Sequence, residues 1–143
     1  MKLNVIPLIT ALLPAVAIHV CWVVAASLGH LSWCVPYLPD CVSISAAGRH
    51  PPESVIFRAA VIPTAVLMVI YWKLAHGWLG ALGAGTPGQG RAMLWLGVTA
   101  GLGLFVYAVV LGEVGDLYKL QRRVGMIGFY AFTFLAQALL THQ

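Results

Sequence analysis

The sequence predicts an all-α polytopic integral membrane protein, four transmembrane helices in an antiparallel bundle, and three observations predict it. Hydrophobic residues make up 61% of the chain and charged ones only 8%, against roughly one quarter charged in soluble domains. The apolar residues fall into four blocks, each close to the roughly 20 residues that a helix needs to cross a bilayer. No block sustains the alternation of a barrel strand, and lipid requires every backbone N–H and C=O to be satisfied within the spanning structure, which leaves helices. Residues 1–143 read as a single transmembrane domain.

The first block runs from Val5 to Ser27. Lys2 and the triplet Ala15-Val16-Ala17 are compatible with a cleavable secretory signal. The apolar run continues through Ile18, Val20, Cys21, Trp22, Val23 and Val24, beyond where a signal would end, so a retained helix accounts for more of it. The second block covers residues 55–78. Pro51-Pro52-Glu53-Ser54 ahead of it makes a good helix start, because proline suits the first turn and an acid there complements the helix dipole. The third and fourth blocks cover residues 92–111 and 124–141.

Between the second and third blocks, Gly83-Ala84-Gly85-Thr86-Pro87-Gly88 has the spacing of a dinucleotide-binding fingerprint. That fingerprint works only where a strand turns into a helix, and membrane helices flank this one, so the stretch from Gly80 to Gly90 reads as a turn. Gly97 and Gly101, followed by Gly103, put small residues on one face of the third helix, where another helix can approach closely. His19 and Gln137 are polar groups within apolar runs, and each is expected to hydrogen-bond a neighbouring helix.

Polar side chains concentrate in two segments, 28–54 and 112–123. Two crossings return a chain to the side it left, so both segments face one compartment. The first supplies Tyr37, Asp40, Ser43, Ser45, Arg49, His50, Pro52, Glu53 and Ser54; the second supplies Glu113, Asp116, Lys119, Arg122 and Arg123. Singly, each has a structural reading. Arg58 can snorkel, and Arg122 and Arg123 can anchor a helix start at lipid phosphates. Together they predict that Ser43–Phe57 folds against 112–123 as a shallow headgroup-facing site, with Glu53 or Asp116 pairing with Arg123 or Arg49.

Cys34 and Cys41 are separated by six residues in the first segment, where Pro36 and Pro39 can bend the loop to bring the thiols together; a disulfide requires that this loop face an oxidising compartment, while Cys21 sits within helix one. His30, His50, Asp40 and Glu53 have no recognised metal-ligand spacing and the cysteines form no Cys-x-x-Cys, so neither a metal nor a cofactor is expected. The net charge of +4 comes from basic groups flanking membrane segments rather than from a soluble patch. Membrane lipids are therefore the expected partner, not nucleic acid.

Pro36-Tyr37-Leu38-Pro39 leading into Ser43-Ile44-Ser45, then Gly48, Pro51-Pro52-Glu53-Ser54 and Ile56-Phe57, resembles the first-loop signature of the Frag/DRAM/Sfk family of multi-pass membrane proteins. Arg123, Gly125, Phe129, Phe132 and Phe134 to Gln137 likewise resemble that family's fourth helix. The resemblance implies a role in membrane-lipid homeostasis. The family includes a factor that remodels the lipid of GPI anchors and the amino-terminal part of a yeast protein that exchanges such lipids. Its members typically carry six helices where this chain has four, so the chain is either a piece of a longer protein or a short relative whose exposed helix faces a second copy or a membrane partner covers. The resemblance supplies no agreed catalytic set, and none is assigned.

Two functions remain. One is a non-catalytic protein that binds lipid headgroups or a membrane partner, with Arg49, Arg58, Arg122 and Arg123 around a phosphate, since the planar guanidinium makes paired, charge-assisted bonds to it. The other is a membrane-embedded hydrolase or acyl-transfer enzyme, with Ser43 or Ser45 as nucleophile, His50 as base and Asp40 or Glu53 orienting it. That set lacks a nucleophile elbow of the Gly-x-Ser-x-Gly type. The resemblance also implies a cytoplasmic amino terminus and a luminal or periplasmic first loop, in the inner membrane if the source is bacterial. A simple count of Lys and Arg favours the opposite orientation.

Overall fold

The structure is a computed structural model that describes residues 5–35, 37, 38, 41 and 46–142. Among these it holds four α-helices and no strand: α1 (Val5–Ser27), α2 (Glu53–Leu82), α3 (Pro87–Val110) and α4 (Asp116–Thr141). All four are long and apolar enough to cross a membrane, which makes the chain an integral multi-pass membrane protein. The 23 residues of α1 span about 35 Å, enough for a hydrocarbon core of roughly 30 Å.

Three boundaries differ from the sequence reading, each for a local reason. The α2–α3 connection is not an eleven-residue turn but only residues 83–86. Gly83 and Gly85 adopt left-handed φ values of 65° and 70°. Thr86 then forms a capping box with Gln89: the Thr86 Oγ1 accepts from the Gln89 N–H, while Gln89 Oε1 accepts from the Thr86 N–H, and Pro87 opens the helix. These contacts satisfy orphan donors of the first turn, so α3 begins five residues earlier than its apolar block. At the other end, 112–123 is not a loop throughout, because α4 starts at Asp116. An acid in the first turn suits the helix dipole, and Lys119 Nζ lies 3.0 Å from Asp116 Oδ1 one turn on. The helix start at Glu53 moves α2 two residues upstream, directly behind Pro52.

Each helix packs on its sequence neighbour. Cα atoms come within 8 Å between α1 and α2, α2 and α3, and α3 and α4, and between no other pair of helices. The bundle is therefore a curled row with an open side between α1 and α4. Glycine makes its two tightest seams. Gly97 and Gly101 face α2, where a methyl at Gly97 would enter the Trp72 indole and one at Gly101 would stand 2.9 Å from Val69 Cγ2. Gly103 and Gly125 bring the backbones of α3 and α4 together, with Cβ positions 2.8 Å and 2.7 Å from each other's carbonyl oxygens. With little hydrophobic drive between helices in lipid, such close backbone contact supplies the packing energy. The middle helices carry the buried core, Phe57, Val61, Ala65, Met68, Trp72, Met93, Ala100, Leu104 and Tyr107 among it, while outward side chains such as Val16, Trp95, Ile127 and Phe134 are exposed and large, as a lipid-facing surface requires.

Candidate functional site

The polar ends of the chain meet at one pole, and the sequence there dictates three contacts. The first tidies a helix end. Helix α3 finishes at Val110-Leu111-Gly112 with no side chain able to cap its carbonyls. Two arginines from other helices do so instead: Arg58 Nη2 donates to the Leu111 carbonyl, and Arg122 Nη1 donates to the carbonyls of Val110 (3.2 Å) and Glu113 (2.7 Å). Arg58 also lies 3.3 Å from Glu113 Oε1. A cation at a helix C-terminus meets both the dipole and the orphan acceptors, so these two guanidinia serve the protein's own backbone.

The second contact joins the two polar segments. Gly48 lies under Leu111, where a Cβ would stand 3.1 Å from its Cδ2, and the Arg49 carbonyl sits against Gly112, 2.9 Å from the position of a Cβ there. Gly112 itself has φ 93°, a conformation that favours glycine. Residues 46–50 thus rest on the α3–α4 turn.

The third is a pair, its acid fully buried, that no sequence spacing announced. Glu53, the first residue of α2, is fully buried, and its Oε1 lies 2.7 Å from His30 Nδ1. A carboxylate only accepts, so Nδ1 carries the proton and Nε2 presents its lone pair or a second N–H outward. His30 is 34% exposed, and its ring stands 5.3 Å from that of His50. The second oxygen, Oε2, has no hydrogen-bond partner among the described residues, and no Lys or Arg there lies within ion-pair distance of Glu53. Cys21 Sγ donates to the Glu53 carbonyl at 3.3 Å, fixing α1 against the start of α2.

The expected charge pairs were different, and the structure corrects them. Glu53 engages His30 rather than an arginine, Asp116 pairs with Lys119, and Glu113 pairs with Arg58. Short range explains two of them: Lys119 is one turn from Asp116, and Arg58 reaches Glu113 because it already holds Leu111. Arg49 and Arg123 lie exposed at the same pole, and Pro52 is the N-cap of α2. Glu53 orients His30 and not His50, which separates the acid from the base that a Ser/His/acid constellation would use. Asp40, Ser43 and Ser45 lie outside the described residues.

The described residues beyond α1, 28–35, 37, 38 and 41, fold back along it. Cys34 and Cys41 are joined as a disulfide, with Cα atoms 5.5 Å apart. The Tyr37 hydroxyl reaches His19 Nε2 at 2.8 Å, and Trp33 packs edge-on against Trp22 with centroids 5.5 Å apart. His19 is eight residues before the end of α1, so Tyr37 descends about 12 Å beside the helix. Nδ1 of His19 donates to the Ala15 carbonyl. His19 therefore bonds its own helix and the first loop, not a neighbouring helix as expected, because α2 packs on another face.

Below the pole, the open side of the bundle forms a groove of about 650 Å³ lined by all four helices. It runs along α2 from Phe57 to Trp72, a length of about 22 Å. Pro14, Ala15 and Ile18 form its α1 wall, Met126, Tyr130 and Thr133 its α4 wall. Gln137 lines the end far from the pole rather than bridging helices. Two buried polar atoms of lining residues, Trp72 Nε1 and Thr133 Oγ1, have no partner among the described residues. At the near end the lining residues Ile18 and Phe57 lie one helical turn from Cys21 and Glu53 respectively, on the same faces.

Sequence reasoning missed the His30–Glu53 pair, the capping role of Arg58 and Arg122, Gly125 as the partner of Gly103, and the groove. Only the second left a signal: a helix ending in Leu-Gly with no polar cap implies donors from elsewhere.

Among curated proteins and solved structures, none matches the chain. The family described as Frag1/DRAM/Sfk1/Cwh43P N-terminal domain matches residues 2–143, essentially the whole length, and the chain belongs to that family.

Proposed function

We propose that this protein handles membrane lipid by binding: one acyl chain lies in the groove between α1 and α4, and the headgroup rests at the pole formed by residues 46–53 and 111–123. Family membership supports a role in lipid-related processes. The observation that carries the reading is the continuity of groove and pole, since the apolar lining ends at Ile18 and Phe57 and the polar pair begins one turn beyond. A lipid has the same order of parts. The groove's length of about 22 Å exceeds half of a hydrocarbon core of roughly 30 Å, so it accommodates the chain of a lipid from one leaflet. Exposed Arg49 and Arg123 stand where a phosphate would lie, with the geometry of the guanidinium suited to it.

The test is native mass spectrometry of the detergent-purified protein. Wild type should carry bound phospholipid. Ala15→Phe, which fills the α1 wall of the groove, should lose most of it, whereas Val16→Phe on the exposed face should not. Equal retention by wild type and Ala15→Phe refutes the groove as the site.

A further inference from the structure

Glu53 is a buried carboxyl with no Lys or Arg beside it among the described residues. Taking an ionised carboxyl out of water costs free energy unless a countercharge and hydrogen bonds replace the solvent. Glu53 is fully buried, one of its carboxyl oxygens has no partner among the described residues, and the sole ionisable group there bonded to its carboxyl is a histidine. The other acids among the described residues do have cations, Arg58 on Glu113 and Lys119 on Asp116. The lack of a Lys or Arg at Glu53 is thus a local feature, in a pole that otherwise has such cations in excess.

Resting on the lipid-binding reading above, we propose that the pole selects a lipid whose headgroup carries a primary ammonium, which donates a hydrogen bond to His30 Nε2 and neutralises the Glu53 charge behind it. The geometry provides for this without exposing Glu53. With Nδ1 donating to Oε1, a neutral His30 turns the Nε2 lone pair outward, and the ring is one third exposed. The imidazole passes the carboxylate's field to its outer nitrogen, as in any carboxylate–histidine pair. A lipid chain ending at Ile18 and Phe57 brings its headgroup to this position, because Glu53 is one turn above Phe57. Exposed Arg49 and Arg123 at the same pole complement the phosphate of the same headgroup, so the site matches a zwitterion that carries both charges.

Phosphatidylethanolamine and phosphatidylcholine of identical chains share net charge and phosphate, but only the first has N–H donors. Native mass spectrometry of the full chain, delipidated and given equal amounts of both, should show phosphatidylethanolamine retained roughly tenfold over phosphatidylcholine, equivalent to about 1.4 kcal/mol. Glu53→Gln, which can still accept from His30, should bring that ratio close to one. His30→Asn, which keeps a donor to Glu53 and removes Nε2, should do the same and serves if the first variant does not fold. Lipid retained with no preference in wild type, or a preference that survives both variants, overturns the inference and leaves the lipid-binding reading intact. Phosphatidylglycerol retained as well as phosphatidylethanolamine overturns it too, because the site would then read a hydroxyl or a negative charge. Failure of wild type to hold any of the three lipids removes the lipid-binding reading and this inference with it.

Discussion

Replacing Gly103 by alanine places a methyl carbon 2.8 Å from the Gly125 carbonyl oxygen and 3.1 Å from the Phe129 nitrogen. Both neighbours are backbone, so neither can turn aside, and ordinary van der Waals contact begins at 3.4 Å. The α3–α4 seam must therefore open along the stretch where these helices come closest. Overpacking of a tight interface costs about 1–3 kcal/mol, whereas alanine in a helix interior gains roughly 0.5–1 kcal/mol over glycine from backbone entropy. The expected net loss is about 1–2 kcal/mol. Gly77 provides the internal control: it is helical, exposed, and nothing lies within 4 Å of a Cβ there. Gly77→Ala should therefore be neutral or slightly stabilising. The assay is reversible unfolding in mixed micelles, followed by circular dichroism, for both variants and for Gly103→Ala/Gly125→Ala. The double variant should lose less than the sum of the singles, because one opening of the seam relieves both contacts. A Gly103→Ala protein as stable as Gly77→Ala refutes close backbone approach as the basis of the α3–α4 seam.

Arg122→Ala should lower stability by about 1–3 kcal/mol by leaving the carbonyls of Val110 and Glu113 without their shared donor, with Arg122→Lys recovering only part because one ammonium cannot copy the guanidinium fork; equal melting of the alanine variant and wild type would show the cap to be dispensable. A cysteine placed at Gly88, in the first turn of α3, should be protected from an impermeant thiol reagent added outside intact cells and labelled after the membrane is opened; labelling from outside would reverse the orientation.

The four helices were legible because lipid leaves so few alternatives: an apolar block of sufficient length has to be a helix. Their ends were less legible, since apolar blocks mark only the membrane-embedded part. Helix α4 begins eight residues before Val124, on Asp116, and α3 begins on the Thr86–Gln89 capping box, neither of which is apolar. The shared pole followed from topology alone, and the contacts of Gly48 and Arg49 with Leu111 and Gly112 lie where it requires. The partners within the pole could not be read, because they depend on distances the chain sets only on folding. His30 and Glu53 are 23 residues apart and Arg58 and Leu111 are 53 apart. An arginine looks the same in sequence whether it faces a phosphate or a helix end. The groove was equally hidden, for it arises from α1 and α4 failing to meet, and no residue type encodes that.

Two features bear on which compartment the pole faces, and they agree once charge is weighed by position rather than counted. The Cys34–Cys41 disulfide belongs to an oxidising compartment, outside the cytoplasm. The overall count of Lys and Arg points the other way, but orientation is usually dominated by the first helix and by cations within roughly 15–20 residues of a helix end. Around α1 that criterion finds Lys2 on the amino-terminal side, while the first cation beyond Ser27 is Arg49, 22 residues on. Both features favour the expected orientation, with the amino terminus of α1 in the cytoplasm and the disulfide loop outside, which the Gly88 labelling experiment tests. Of the cations that then lie outside against the general bias, Arg58 and Arg122 close the end of α3 and Lys119 pairs with Asp116. Arg49 and Arg123 alone remain exposed without such a structural task among the described contacts, and these are the two assigned to the lipid phosphate. In the proposed reading, the charges that break the topological rule are thus divided between holding the pole together and meeting a lipid headgroup.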